Sequence, residues 1–345
     1  MNKKTVSSLL GLLFALLMGA LILLIEGYNP LETYSALFRF SIFDLYSLAT
    51  TFKNSVPLIL TGLSATIAFA SGIDNLGQPG QLVMGALAAT AIGLFFDLPG
   101  YLMIPLLILM AMLGGALWSG VAALLKSAFN MSEFIITLML NMIADFFTAW
   151  VITYPLMDTG AYSPMTPRIN PTAWLADYGE LNTSTLFIPA VMLVAWFIFH
   201  RTKMGYEWRM MGKNRLFAQI GGSEPKKNFI KVMLLTGAFA GLAGGLVVMG
   251  GPRRFVRGLG ANYAWDGVMI AVVADSAIIP TLLYGLFVGA LQTGAIGMEL
   301  ITAVPREFIL MMQAIILLVV VASRESLTLF LQQRSIKHQT RQRER

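Results

Sequence analysis

Long apolar runs separated by short polar segments dominate the chain. The first run, Ser7 to Ile25, carries no charged residue and follows Lys3 and Lys4. It is longer than the apolar region of a secretory signal peptide, and it continues into Glu26 without a small-x-small cleavage site. The pattern therefore predicts an uncleaved first membrane span whose amino end lies in the cytoplasm.

Nine further apolar segments follow the first, and a bilayer crossing takes about 20 such residues. They are residues 55–72, 80–97, 101–125, 134–155, 186–199, 232–250, 264–279, 281–298 and 307–323. The sequence thus predicts an all-α polytopic membrane protein. We expect about ten transmembrane helices, some of them short or interrupted by glycine, in a single transmembrane domain over residues 1–345.

Polar segments and basic residues indicate the orientation of these spans. With the first span running outward, residues 156–185 form an external loop, 200–231 a cytoplasmic loop and 324–345 a basic cytoplasmic tail. Of the 24 Lys and Arg residues, 17 then lie inside, as the positive-inside rule requires, so both termini are predicted to be cytoplasmic. The exception is the turn that carries Arg253, Arg254 and Arg257, for which an external and a re-entrant position both remain open.

The composition excludes several classes of function. Only 12% of the residues are charged, about half the usual share in soluble domains, so the chain is not a soluble globular protein. The absence of cysteine excludes disulfides, thiol catalysis and thiolate metal sites, and two histidines do not make a histidine metal centre. The net charge of +6 follows from the topology and from anchoring at anionic lipid, so we predict no nucleic-acid partner.

Polar residues inside apolar spans are informative because an ionisable group near the bilayer centre costs at least about 2.5 to 3.5 kcal/mol. Eight such residues are Asn75, Gln78, Gln81, Asn141, Asp145, Asp266, Gln292 and Gln313. Amides both donate and accept hydrogen bonds, so a path lined by them suits a neutral solute with hydroxyl or amide groups. The alternative is that these amides only hold helices together.

Residues 71–80 form the clearest interruption. This stretch reads Ser-Gly-Ile-Asp-Asn-Leu-Gly-Gln-Pro-Gly, and so much glycine, proline and asparagine does not allow a continuous helix. Unwound backbone at membrane depth must line a cavity or be buried in protein. Elsewhere Gly237, Gly241 and Gly245 share one helix face, which predicts close approach of a neighbouring helix.

A short amphipathic helix is predicted in the cytoplasmic loop between Gly212 and Gly222. Leu216, Phe217 and Ile220 fall on one of its faces. Such a helix either lies on lipid or fits a groove on a partner protein, and its shortness favours the partner.

The chain lacks a recognisable nucleotide-hydrolysing site. A Walker A loop needs a glycine five residues before the Gly-Lys pair and a Ser or Thr after it, whereas Glu207 and Asn214 stand there. Glu133, Asp145 and Asp266 leave a proton relay open as an alternative, but no second carboxylate lies one helical turn from any of them.

Several motifs, in order, resemble the permease subunits of bacterial ABC importers for simple sugars, nucleosides and branched-chain amino acids. Gly212, Asn214, Ala218 and Gly222 are similar to the coupling loop Gly-x-Asn-Pro-x-Ala-Ala-x-x-x-Gly of that group. The other resembling segments are 75–81, 133–141, 266–272 and 304–313, so the resemblance covers residues 55–322. Within the group, residues 166–175 and 200–207 look most like the nucleoside-importer permease.

The resemblance implies a type II-like ABC importer permease that translocates a small polar solute, with nucleosides as the first choice, in the bacterial cell membrane. It implies no cofactor and no ATPase site on this chain, because ATP is bound by a double-cassette ABC ATPase. It further implies a second homologous permease chain as a heterodimer partner and an extracytoplasmic substrate-binding lipoprotein. Alternatives are a ribose-like sugar or branched-chain amino-acid permease, an ion-coupled secondary transporter and a membrane scaffold.

Two groups of residues are the candidate sites. Polarity and motif position indicate the substrate path, where Trp265 offers a ring for stacking on a base; its residues are Asn75, Gln81, Asn141, Trp265 and Asp266. The ATPase-coupling residues implied by the resemblance and by the amphipathic helix are Gly212, Asn214, Arg215, Leu216, Phe217, Ala218, Ile220 and Gly222.

Overall fold

The computed structural model describes residues 3–179, 181–315 and 318–319, and these are predominantly helical, which confirms the predicted all-α class. The α-helices are α1 (Lys3–Ile25), α2 (Pro30–Phe38), α3 (Leu45–Ala70), α4 (Gln78–Phe95), α5 (Gly100–Phe129), α6 (Glu133–Thr153), α7 (Phe187–Arg201), α8 (Lys203–Lys213), α9 (Arg215–Ile220), α10 (Pro225–Gly250), α11 (Ala261–Val273) and α12 (Ile278–Thr302). A short hairpin consists of β1 (Asp177–Tyr178) and β2 (Leu181–Asn182).

Five helical segments in the described part of the chain are long and apolar enough to cross a membrane. They are α5, α6, α10, α12 and the segment Thr183–Arg201, which contains α7. The protein is therefore a multi-pass membrane protein, whereas the count of ten spans and the side of each terminus stay predictions. The predicted span 307–323 lies partly, and the basic tail 324–345 wholly, outside the described residues.

Two predicted span boundaries differ from the structure. α10 begins at Pro225, well before the predicted residue 232, because a proline in the first turn starts a helix through polar residues that hydropathy excludes. The predicted span 264–279 is wrong in extent, since α11 ends at Val273. Asp275 and Ser276 have φ of 55° and 51°, a left-handed turn that no helix continues through.

The chain divides into two compact units, and the first consists of Met1–Leu48 and Ala290–Arg345. Within its described residues, α2 and the π-helical segment Arg39–Phe43 pack against the second half of α12, where a side chain at Gly297 would overlap the Phe40 ring. The Tyr34 hydroxyl donates to the Leu16 carbonyl oxygen at 2.8 Å. This bond joins α2 to α1.

The second unit, Ala49–Gly289, contains the larger hydrophobic core. α10 is the most buried of the five apolar segments and packs against α5 and α4. Its predicted glycine face meets α5 backbone to backbone, since a side chain at Gly241 would overlap the Ala111 carbonyl and one at Gly237 would lie 2.5 Å from the Gly115 carbonyl oxygen. The sequence prediction of close helix approach is therefore confirmed.

The predicted break is present between α3 and α4. Residues 71–77 are non-helical, while Gln78, Pro79 and Gly80 form the first turn of α4, so the interruption is shorter than the sequence predicts. α4 packs against α5, α6 and α11.

The 156–185 loop is folded against the turn that follows α10. Thr166 N–H donates to the Phe255 carbonyl at 3.0 Å, and Ile169 N–H donates to the Arg253 carbonyl at 2.9 Å. Arg253 also pairs with Asp177 at 3.1 Å, and Arg254 pairs with Asp158 at 3.6 Å. Arg253 and Arg254 are two of the three basic residues that depart from the positive-inside rule. Both are thus paired with acidic residues of the 156–185 loop, which is predicted to be external.

Candidate functional site

One buried asparagine holds the break between α3 and α4. Asn75 Oδ1 accepts hydrogen bonds from the Gly77 backbone N–H at 2.9 Å and from Gln81 Nε2 at 3.1 Å. Asn75 Nδ2 donates to Thr236 Oγ1 on α10 at 3.2 Å. The three side chains Asn75, Gln81 and Thr236 are at most 1% exposed. Asn75 therefore ties the break to α4 and α10 in the protein interior.

Helix α6 supports the same segment with two polar side chains one helical turn apart. Thr137 Oγ1 accepts from the Leu76 N–H at 3.3 Å. Asn141 Nδ2 donates to the Leu76 carbonyl at 2.8 Å, and its Oδ1 accepts from the Gly80 N–H at 2.9 Å. Backbone groups that the end of a helix leaves unpaired are thereby satisfied by side chains. We call Asn75, Gln81, Thr137, Asn141 and Thr236 the amide network.

Several buried polar atoms beside this network have no hydrogen-bond partner among the described residues. They are both side-chain heteroatoms of Gln78, Oε1 of Gln81 and Nε1 of Trp118. The Trp118 Nε1 atom lies 3.0 Å from the position that a Cβ of Gly80 would take, so it belongs to the same region. An unpaired buried polar group costs about 1 to 3 kcal/mol, so these atoms favour contact with water or a polar solute.

Three of the five predicted path residues come together in this network, and two do not. Asn75, Gln81 and Asn141 are bonded to it, whereas Trp265 and Asp266 lie on α11. Asp266 is 7% exposed and Trp265 is 40% exposed, so α11 buries the carboxylate and presents the indole on the surface of the chain. The described residues contain no group of three His, Asp or Glu side chains that would hold a metal ion.

The predicted amphipathic segment forms the short helix α9. Asn214 Oδ1 accepts from the Phe217 N–H at 2.9 Å and caps the helix, which ends before Gly222, a residue with φ of 85°. Leu216, Phe217 and Ile220 are 67%, 58% and 79% exposed, while Ala218 is buried. Arg215 is exposed beside them. α9 therefore presents an apolar surface with a basic residue at its edge.

Gly212, the second-last residue of α8, touches the break directly. A Cβ on Gly72 would lie 3.0 Å from the Gly212 Cα atom, and a Cβ on Gly212 would overlap the Ala70 carbonyl oxygen. α8 is also held to α10, because Asn228 Nδ2 donates to Glu207 Oε2 at 2.9 Å and to Ser223 Oγ at 2.8 Å. The segment carrying α9 is thus in contact with both α10 and the break.

A cavity of about 160 Å³ lies next to the 156–185 loop, between α3, α10 and α11. Its polar lining groups are Lys53, Asn54, Ser184 and Tyr263. Sequence reasoning selected none of these four, and it also missed Thr137, Thr236 and Trp118 of the amide-network region. Only Thr137 carried a usable signal, since it precedes Asn141 by one helical turn.

Comparisons with known proteins give several matches over most of the chain. A family model described as "Branched-chain amino acid transport system / permease component" matches residues 45–321. The guanosine ABC transporter permease protein NupP of Bacillus subtilis is 33% identical over 91% of this chain and 92% of its own length. The glucose ABC transporter permease protein TsgB13 of Haloferax volcanii is 28% identical over 91% of this chain and 86% of its own length.

A second guanosine ABC transporter permease protein of Bacillus subtilis, NupQ, is 28% identical over 57% of this chain and 65% of its own length. No solved structure matched the chain.

Proposed function

We infer the function from one premise: this chain belongs to the family of permease components of branched-chain amino acid transport systems. We propose that it is the transmembrane permease subunit of an ATP-driven importer in the bacterial cell membrane, and that its solute is a nucleoside. The observation that carries this proposal is the identity of 33% to a guanosine ABC transporter permease over nearly the full length of both chains.

The amide network is the proposed inner part of the solute path. It consists of amides and hydroxyls that both donate and accept hydrogen bonds, as recognition of a neutral polar solute requires. The unpaired atoms of Gln78, Gln81 and Trp118 support this assignment, because they offer further bonds at the same place. Trp265 and Asp266 also remain proposed path residues. They lie on α11 and are not part of the amide network.

Helix α9 is the proposed contact with the partner ATPase. Its apolar side chains Leu216, Phe217 and Ile220 are exposed, and a groove on a partner protein is the usual place for such a surface. ATP hydrolysis takes place on the partner in this proposal. Closure of the ATPase then moves α9, and the contact between Gly212 and Gly72 passes that movement to the break and its network.

The 156–185 loop is the proposed docking surface for an extracytoplasmic solute-binding protein. Its exposed aromatic residues include Tyr162 and Tyr178, a residue type that interfaces favour. The two ion pairs to Arg253 and Arg254 support an ordered surface, because they hold the loop on the turn after α10.

A second permease chain completes the importer in this proposal. Bacillus subtilis has two different guanosine ABC transporter permease proteins that both align with this chain, which supports a pair of unlike subunits.

A sugar is the second candidate solute, since a glucose ABC transporter permease is 28% identical over 91% of this chain. Uptake of labelled guanosine by cells that produce the complete importer, with unlabelled guanosine, ribose, glucose and leucine as competitors, distinguishes these solutes. We expect guanosine to compete best and uptake to require ATP and the partner chains. Uptake by this chain alone in ATP-free liposomes would instead indicate an ion-coupled transporter.

A further inference from the structure

Helix α6 presents a broad apolar surface on the side away from α4 and α5. Its main contacts are with α4 and α5. The exposed side chains of its outer surface include Ile135, Met139, Met142, Ile143, Phe146 and Trp150. In a membrane such a surface meets lipid or another apolar protein surface.

One carboxylate interrupts this surface. At 1.5 Å per residue, Asp145 lies about 18 Å from the first residue of α6 and about 12 Å from its last. The hydrocarbon core is about 30 Å thick, so Asp145 lies near its middle. Asp145 is exposed, and no hydrogen bond or ion pair joins its carboxylate to another group in the part of the chain that the structure describes.

An exposed carboxylate at this depth does not face lipid. Charged side chains within spans face the interior of a helix bundle or a water-filled cavity, because hydrocarbon solvates them poorly. Among the residues that the structure describes, Asp145 is exposed and is not enclosed by the helix bundle. A second membrane protein that covers this surface and leaves polar space beside the carboxylate would provide the surroundings that the charge requires.

The position of Asp145 connects that surface to the amide network. Asp145 follows Asn141 by four residues, which turns the helix by about 40° beyond a full turn and advances it by about 6 Å. Asn141 is half-buried and bonded to Leu76 and Gly80. The edge of α6 that borders α4 thus carries two polar side chains, one in the network and the next at the surface.

We propose that Asp145 lines the solute path where this chain meets the second permease chain, and that its carboxylate accepts hydrogen bonds from paired hydroxyl groups of the solute. This inference rests on the proposed function. The occupant of the α6 surface is the second permease, and the site is incomplete without it. The existence of two different Bacillus subtilis guanosine permeases similar to this chain supports a second chain of the same architecture.

The hydrogen-bonding capacity of the Asp145 carboxylate indicates which class of solute it would bind. An ionised carboxylate only accepts hydrogen bonds, and its two oxygens match two neighbouring donors. The adjacent hydroxyls of a ribose or of a pyranose provide such a pair on a neutral molecule. Guanosine and glucose, which appear in the names of two similar permeases, both carry adjacent hydroxyls.

Cysteine labelling tests the location, because the chain has no cysteine of its own. D145C and the control I143C are made in the complete importer and treated with a negatively charged methanethiosulfonate. Ile143 is also exposed, but it lies about 200° around α6 from Asp145. We expect reaction at residue 145 with protection by solute, and little reaction at residue 143. Absence of labelling at 145, or equal labelling at both without protection, would overturn the proposal.

Uptake by D145N tests the hydroxyl contact. We expect the KM for guanosine to rise by about tenfold and the KM for 2′,3′-dideoxyguanosine to stay within about twofold, since only guanosine offers the hydroxyl pair. Equal KM changes for both solutes, or none, would reject the contact. A wild-type importer that transports no nucleoside would count against the proposed function, and labelling at 145 would still decide the position of this residue.

Discussion

Gly72 and Gly212 touch backbone to backbone, since a Cβ on Gly72 would lie 3.0 Å from the Gly212 Cα atom. The first belongs to the break between α3 and α4, and the second lies at the end of α8, which only Asn214 separates from the exposed helix α9. No side chain lies between them that would absorb a movement by changing its rotamer. The break is in turn bonded to α4, α6 and α10 through Asn75 and Asn141. A displacement of α9 therefore acts on the break through the last residues of α8.

Substituting Gly212 tests this route. In Gly212→Ala the new methyl group would overlap the Ala70 carbonyl and push α8 away from the break. We expect the assembled importer to keep hydrolysing ATP while solute uptake falls by about tenfold, within the range of coupling free energies of about 1 to 3 kcal/mol.

Gly221→Ala is the matched control, because its Cβ would make only ordinary contacts at 3.4 Å or more. Both activities are measured on the same purified complex. Normal uptake in Gly212→Ala, or a similar loss in the control, would contradict the route.

The amide network is tested at Asn141. Asn141→Leu leaves the Leu76 carbonyl and the Gly80 N–H without their partners, so we expect the stability of the protein to fall by about 1 to 3 kcal/mol. Uptake should also be impaired while the subunits still assemble. A lower thermal denaturation midpoint, together with uptake kinetics, measures both effects. The exposed Met142→Leu is the control, and unchanged uptake kinetics in Asn141→Leu would leave this residue a purely structural role.

The coupling surface is tested at Phe217. Phe217→Asp places a charge in the apolar contact proposed for α9, so we expect less ATPase to co-purify and uptake to fall at least about tenfold. Tyr206→Asp is the matched control, because it introduces the same charge on α8 at a side chain that is equally accessible. Tyr206 is 57% exposed and Phe217 is 58% exposed. Full retention of the ATPase by Phe217→Asp would disprove the role of α9.

The 156–185 loop is tested through Arg253. This side chain pairs with Asp177 and lies over the Trp174 ring at 4.2 Å, so Arg253→Ala removes an ion pair and a cation–π contact of about 0.5 to 1 kcal/mol. We expect protease added from the outside to cut the loop several-fold faster. Arg257→Ala changes an exposed residue of the same turn and should leave the cleavage rate unchanged. Protection of the loop from external protease in every variant would contradict its predicted external position.

The sequence predicts features that depend on local chemistry. The break was predictable because Gly72, Asn75 and Gly77 disfavour a helix regardless of their neighbours. Helix α9 was predictable for a similar reason, since Leu216, Phe217 and Ile220 share one face.

Features that depend on tertiary contacts were not predictable. Thr236 bonds to Asn75 only because α10 passes the break, and nothing near Thr236 in the chain indicates this. The end of α11 at Val273 was missed because Asp275 and Ser276 interrupt an apolar stretch that hydropathy extends to residue 279. Gly212 was selected by resemblance, but its contact with Gly72 follows from the fold alone.

The start of α4 also has a consequence for the ions that could enter the proposed path. A helix carries roughly half a positive charge at its amino end, and α4 begins inside the protein, at the amide network. This partial charge is close to the proposed inner part of the solute path, where it would repel protons and sodium ions but hardly affect a neutral molecule. An importer built around this helix would therefore limit leakage of the cell's ion gradients during each opening.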